Sequence, residues 1–510
     1  MRTNGVLMPV FSLPSRYGIG DMGKEAYRFV DFLAKAGQSF WQILPLNPTN
    51  YGDSPYQSFS TFAGNPYFIS PEKLIEDGLL TWQEADSFDF GQDPLSVDYG
   101  KMFENRPRML RIAYDRFKQQ ADHDAYRAFV DSNSQWLDEY ALFMALKDQN
   151  GQRSWITWDK PYKFRDPQAL EQAAKDYADD MDFYRFCQYE FFTQWNALKS
   201  YANEKGIRII GDLPIYVAMD SADVWSNTKQ FQLDQDLNPV KVSGCPPDAF
   251  SADGQLWGNP LYRWEDMANE KPSYQWWKKR IRMALSIYDV VRIDHFRGFE
   301  SYYTIPFGDK TAANGKWVKG PGLPFFTEIE KELGTDLPII AEDLGYLTKE
   351  VRDMLKGSGF PGMKVLQFAF DSREASDYLP HNYEHNCVVY TGTHDNDTIM
   401  GWTKTAPADD VAFARKYMHA DDSEGFNWTM MRIAQMSVAD TCILMMNDFV
   451  GLGSEARINT PSTLGKNWKW RIDGSCINDW LAGIIYENTK MYGRLPKQKP
   501  AQDPDYGIKD

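Results

Sequence analysis

Four stretches place a carboxylate at or just after an apolar, β-branched run. The densest is Val290-Val291-Arg292-Ile293-Asp294-His295-Phe296-Arg297-Gly298. Val290, Val291 and Ile293 suit a buried strand, yet Arg292, Asp294, His295 and Arg297 crowd its C-terminal end. Ionisable groups packed this closely are costly to bury unless they serve one another or a ligand. Ile339-Ile340-Ala341 runs into Glu342-Asp343, Cys387-Val388-Val389-Tyr390 leads to His394-Asp395, and the Ile207–Ile215 stretch holds Asp212. Carboxylates that converge can bind a cation, share a proton, or divide the nucleophile and acid roles of glycoside cleavage. No HxH or HExxH occurs among the six histidines, which weakens the metal reading. In the sugar reading Asp294 is the ionised nucleophile. Arg292, two residues earlier on the same side of the strand, holds it charged. Glu342 is the proton donor, which requires a raised pKa, and Asp395 bonds sugar hydroxyls. His295 and His394 adjoin the two aspartates and can do the same. The plainer alternative is that Arg292–Asp294 is only a buried ion pair and each strand-end aspartate is structural.

Such groups meet only if the chain brings strand ends to one place. Strands are expected at Val6 to Leu13, Phe40 to Leu44, Ile207 to Ile215, Val290 to Ile293, Leu337 to Ala341, Lys364 to Phe370, Cys387 to Tyr390 and Cys442 to Met446. Helices separate most of them. One is capped by Asp21 and stopped at Gly37, and others are expected over 183–203, 274–287, 348–357, 408–418, 425–438 and 475–491. This alternation, with polar residues at most strand ends, predicts an α/β chain folded as one (β/α)8 TIM barrel over 1–510. A doubly wound sheet is the alternative. Two insertions interrupt the barrel, after the second and third strands. Residues 69–182 are charged and helical in period, a helical subdomain. Residues 218–285 form a loop-rich subdomain over the site, in which 244–260 hold too much Gly and Pro for regular structure. Residues 49–67, rich in Gly, Pro, Asn and aromatics, form a functional loop at a strand's C-terminal end.

Composition narrows the classes. The 510 residues carry a net charge of −16, and no basic stripe suggests nucleic-acid binding. No apolar run reaches membrane-spanning length. Five separated cysteines without a CxxC pair predict a reducing, cytoplasmic setting with no zinc site or disulfide framework. Phosphate and serine-nucleophile motifs are missing, and Gly18-x-Gly20-x-x-Gly23 reads as a turn into a helix. The 17 tryptophans exceed what packing alone demands, and stacking on sugar rings is a second use.

The motifs together resemble the amylomaltases, or 4-α-glucanotransferases, of the α-amylase clan, over essentially the whole chain. The resemblance is carried by Ser12-Leu13-Pro14-Ser15, Trp41-Gln42-Ile43-Leu44-Pro45-Leu46, Asp53-Ser54-Pro55-Tyr56-Gln57-Ser58 and Gly211-Asp212-Leu213-Pro214-Ile215-Tyr216. It continues in Pro246-Pro247-Asp248, Gly254-Gln255-Leu256-Trp257-Gly258-Asn259-Pro260, Arg292-Ile293-Asp294-His295-Phe296-Arg297-Gly298, Ala341-Glu342-Asp343-Leu344-Gly345 and Thr391-Gly392-Thr393-His394-Asp395-Asn396-Asp397. It implies a barrel without a C-terminal β-domain, no cofactor or metal, and α-1,4-glucans and malto-oligosaccharides as donors and acceptors. It names no protein partner. By matching motifs, Asp294 is the nucleophile, Glu342 the acid/base and Asp395 the transition-state stabiliser. Tyr56, Asp212, Trp257, Asn259, Arg292, His295, His394 and Asn459 are expected to bind sugar, and 244–260 to form a mobile loop over the cleft. Three positions depart from the family pattern: Ala249, where some members carry an aromatic, Asn447 for Gln, and Ser462 for Gly.

Overall fold

A computed structural model describes residues 2–50, 52–247, 253–345, 347–421 and 423–496. In chain order the strands are β1 Thr3–Leu7, β2 Phe40–Gln42, β3 Arg208–Leu213, β4 Lys241–Cys245, β5 Gln255–Pro260, β6 Val290–Ile293, β7 Ser301–Pro306, β8 Lys316–Lys319, β9 Ile339–Ala341, β10 Gly362–Val365, β11 Cys387–Tyr390 and β12 Thr441–Met445. Eight of them form one sheet in the order β10-β11-β12-β1-β2-β3-β6-β9, with every ladder parallel. The Ala341 N–H donates to the Pro361 carbonyl at 2.9 Å, joining β9 to the start of β10. The result is the expected (β/α)8 barrel, and the doubly wound alternative falls away.

Parallel strands covered on both faces must be apolar nearly throughout, and Val290, Val291, Ile339, Ile340, Val388 and Val389 are all buried. Gly5 in β1 shows how tight the closure is. A Cβ there would lie 2.6 Å from the Phe40 Cβ of the neighbouring strand. Several strands are shorter than their apolar runs. The first ends at Leu7 because Pro9 has no N–H to continue the ladder, and Val10–Ser12 turn into a 3-10 helix. Likewise Gly362–Val365 gives way to a 3-10 turn at Leu366–Phe368. Asp21 does not cap the first long helix, Lys24–Lys35, whose cap is Gly23. Its carboxylate accepts from the Gly23 N–H at 2.8 Å and shapes the preceding turn.

Between β2 and β3 the chain is helical. Tyr99–Phe117, Asp124–Gln149 and Ala178–Glu204 are its long members. An aromatic seam of Phe117, Tyr126, Phe186 and Tyr189 packs them together. Most of the tryptophan surplus is core: Trp41, Trp155, Trp195, Trp225 and Trp277 are fully buried.

The second insertion differs from expectation. Lys241–Cys245 and Gln255–Pro260, both inside the stretch read as irregular, are strands of an antiparallel sheet ordered β5-β4-β7-β8. Glycine here permits pairing rather than preventing it. At Gly244 a Cβ would stand 2.1 Å from the Gln255 carbonyl oxygen, so only a bare backbone lets the two strands close. A register shift between Val242 and Gly244 accommodates the bend. Ala249, and the loop tip around it, lie outside the described residues. After β12 the described chain holds helices Met446–Val450 and Asp479–Met491 and no strand. No described helix is long and apolar enough to cross a membrane.

Ser462, the departure from glycine, sits exposed at φ 62°, where a side chain is strained. Ser462→Gly is therefore expected to raise stability by about 0.5–1 kcal/mol, read as a higher urea midpoint. A lower midpoint would show that the serine side chain stabilises this turn.

Candidate active site

The C-terminal ends of β3, β6, β9 and β11 deliver Asp212, Asp294, Glu342 and Asp395 to one face of the barrel. Arg292 is the hinge of the group. Its Nη1 donates to Asp212 Oδ2 at 2.6 Å and its Nη2 lies 3.1 Å from Asp294 Oδ1. Side-chain exposure separates their work: 4% for Arg292 and 1% for Asp212, but 28% for Asp294 and 45% for Asp395. One buried cation thus joins a buried carboxylate to one that reaches the cleft.

The Arg292 Nε–H points at the Met363 sulfur at 3.4 Å. This soft, weak acceptor from β10 does not compete for the charge. Burial is the largest influence on the Asp294 carboxyl and pushes its pKa up. Arg292 opposes the rise, while Asp212, Glu342 and Asp395 add to it. Burial also raises Glu342, against the pull of Arg292 and of two backbone donors, Leu344 N–H at 2.8 Å and His295 N–H at 2.7 Å. Those two N–H groups fix the direction of the carboxyl, and each oxygen keeps a second lone pair. The charge of Glu342 is one of those that add to the rise at Asp294. Arg292 touches Asp294 directly and is the strongest influence opposing the rise at both carboxyls.

His295 takes φ 53°, a left-handed turn that swings its backbone N–H onto Glu342. Its ring meets the edge of Trp257 at 4.9 Å. Burial lowers its pKa to about 3, with Arg297 adding to the fall, so the ring is neutral. His394 is also lowered by burial, and its Nε2 lies 3.4 Å from Asp395 Oδ1.

Tyr56 stacks on His394 at 5.2 Å and donates its hydroxyl proton to Asp212 Oδ2 at 2.6 Å. Burial, followed by Asp212, holds the phenol well above its ordinary pKa and keeps it a donor. Trp468 packs beside both Tyr56 and His394. Sequence reasoning missed Trp468 and Met363. Neither carries a local signal, because each acquires its role only through a distant strand end.

Two of the residues expected to bind sugar are buried and held by protein. Asp212 is buried, where it balances Arg292. Asn259 is only 4% exposed, and its amide is engaged by protein. Its Nδ2 donates to the Val217 carbonyl at 2.9 Å and its Oδ1 accepts from Gln57 at 3.2 Å. It therefore ties β5 to the 49–67 loop. Asn459 donates to Asp395 Oδ1 at 2.6 Å. Asn447, the second departure, is buried, with its amide on the Ala456 carbonyl at 2.9 Å.

Beneath the β11 loop, Asp448 accepts from Thr391 Oγ1 and the Ile399 N–H. Burial pushes its pKa up to about 7. Burial does the same to Asp223, to about 7, to Asp21, to about 6, and to Glu190, to about 8. A carboxyl raised on folding contributes stability in full below its unfolded pKa and loses it as pH climbs through the folded value. The unfolding temperature is therefore expected to fall between pH 5.5 and pH 8.5. An equal or rising value across that interval would contradict these protonation states.

A family model described as 4-alpha-glucanotransferase matches residues 8–476. A 4-alpha-glucanotransferase of Clostridium butyricum is 51% identical over 489 residues, covering 96% of this chain and 100% of the relative. One of Thermus thermophilus is 45% identical, covering 92% and 95% respectively. The structure of amylomaltase from Streptococcus agalactiae in complex with acarbose superposes with a TM-score of 0.94 at 41% identity, over 97% of this chain and 100% of that one. Strand-end carboxylates sharing one buried arginine, on a barrel matched from end to end, leave one assignment: the chain belongs to the 4-alpha-glucanotransferase family.

Proposed function

We propose that the chain moves α-1,4-glucan segments between malto-oligosaccharides by double displacement, with retention of configuration. Asp294 attacks the anomeric carbon while Glu342 gives its proton to the leaving glycosidic oxygen, so the sugar–oxygen bond breaks as the sugar–Asp294 ester forms. The released glucan departs. The 4-hydroxyl of an acceptor then passes its proton to Glu342 and displaces Asp294, restoring both carboxyls. Asp395 bonds the hydroxyls of the reacting ring and strengthens that hold as positive charge develops. Tyr56 and Trp257 supply aromatic faces to the sugar. The neutral His295 and His394 shape the site without exchanging protons.

The observation that carries this reading is the shared guanidinium. In this reading Arg292, bonded to Asp212 and 3.1 Å from Asp294 Oδ1, favours the anion at Asp294, and Glu342 carries the proton that the leaving oxygen receives. Transfer rather than hydrolysis requires the loops beside the cleft to seat an acceptor and keep water from the ester. The ties from Gln57 to Asn259 and from the Thr61 N–H to Asp223, at 2.7 Å, hold the 49–67 loop in place for that task. The five free cysteines support a cytoplasmic placement.

Incubation with maltotriose alone tests the function. A ladder of shorter and longer oligosaccharides at constant reducing-end count is expected. A steady rise in reducing ends without longer products would make the chain a hydrolase.

A further inference from the structure

Asp395 stands on a loop, beyond the end of β11, and its side chain is more exposed than that of Asp294. Strand backbone does not hold it, so its orientation has to come from elsewhere. The segment 453–459, after the last barrel strand, lies against this loop. Arg457 Nη2 donates to the Asp395 carbonyl at 2.7 Å and its Nε to the Asn459 carbonyl at 2.8 Å. Asn459 then donates Nδ2 to Asp395 Oδ1 at 2.6 Å and its backbone N–H to the His394 carbonyl at 3.0 Å. The guanidinium fork thus joins two backbones, one bearing the carboxylate and the other bearing the amide that aims it. Asn447 fixes the preceding residue, Ala456, and Ser454 Oγ donates to Asp397 Oδ2 at 2.7 Å.

We propose that Arg457 is a positioning residue for Asp395: it sets the angle at which that carboxylate meets the reacting sugar, and so governs turnover rather than binding. The inference rests on the reading of Asp395 as the group that stabilises the transition state. Arginine suits the task because its planar fork satisfies two carbonyls at a fixed spacing, whereas a lysine reaches one. With Asn459 on Oδ1, the other oxygen is left for the sugar.

The test measures kcat and KM for maltotriose disproportionation by the full chain. Arg457→Ala is expected to lower kcat about 100-fold with KM within about threefold, and Arg457→Lys to recover about tenfold of the loss. Ser454→Ala cuts another tether of the same segment without touching Asp395. It should lower the unfolding temperature and change kcat by less than about twofold. Equal losses of kcat in Arg457→Ala and Ser454→Ala would reduce Arg457 to a general support and overturn the proposal, as would a loss confined to KM. If Arg457→Ala does not fold, Arg457→Lys decides alone: lowered kcat with native circular dichroism supports the proposal, and unchanged kcat overturns it. Asp395→Asn is measured alongside. Wild-type turnover there removes the reading of Asp395 and this inference with it, whereas an inactive Asp395→Asn beside a fully active Arg457→Ala overturns this inference alone.

Discussion

Replacing Asp294 by Asn is expected to lower disproportionation of maltotriose on the order of 10⁴-fold while leaving the protein folded. The amide cannot form the glycosyl ester, so the loss falls on the chemical step and corresponds to about 5.5 kcal/mol of barrier. The fold should tolerate the change because Asn is isosteric with Asp and removes a charge that burial disfavours at this position. Arg292 keeps its buried partner Asp212 at 2.6 Å, so no cation is left alone in the barrel. An unfolding temperature close to wild type, with the product ladder gone, is the expected pair of results. Activity within tenfold of wild type would mean that the nucleophile is another group, and the double-displacement reading would fall.

Replacing Glu342 by Ala should cost about 10³-fold with a natural glucan, because the leaving oxygen then departs without a proton. A donor with a good leaving group separates the two halves of the reaction. From α-maltosyl fluoride the fluoride leaves unaided, so Asp294 still forms its ester. The acceptor then lacks a base, and the ester accumulates as a maltosyl mass increment on the protein. Azide, which needs no deprotonation and fits the space vacated by the side chain, should restore turnover and yield α-maltosyl azide. Stability is expected to drop by about 1–3 kcal/mol, since the N–H groups of His295 and Leu344 lose their acceptor. Failure of azide to rescue the fluoride donor would remove Glu342 from the acid/base role.

Much of this was legible locally. The eight barrel strands stand where apolar runs end in polar residues, because a strand buried on both faces must be apolar and must stop where the cleft begins. The same rule located Asp294, Glu342 and Asp395, and the period of two along β6 put Arg292 on the same side as Asp294. The helices over 275–287 and 408–418 followed their apolar spacing to within a residue. The four-stranded sheet was illegible because β4 and β5 are Gly-containing segments of weak strand propensity. Only pairing with one another and with β7 makes them strands.

The sequence by itself determined the chemical inventory and its rough address: carboxylates at strand ends, an arginine beside one of them, and a barrel to gather them. Tertiary structure alone decided how the charges are shared. Arg292 serves Asp212 as well as Asp294, Tyr56 stacks on His394, and Asn459 reaches Asp395. Periodicity says which way a side chain points along its own strand, but nothing about which distant residue waits there. Closure of the barrel makes those introductions, and with them it divides the carboxylates between one that is buried to balance charge and those that stand at the barrel mouth.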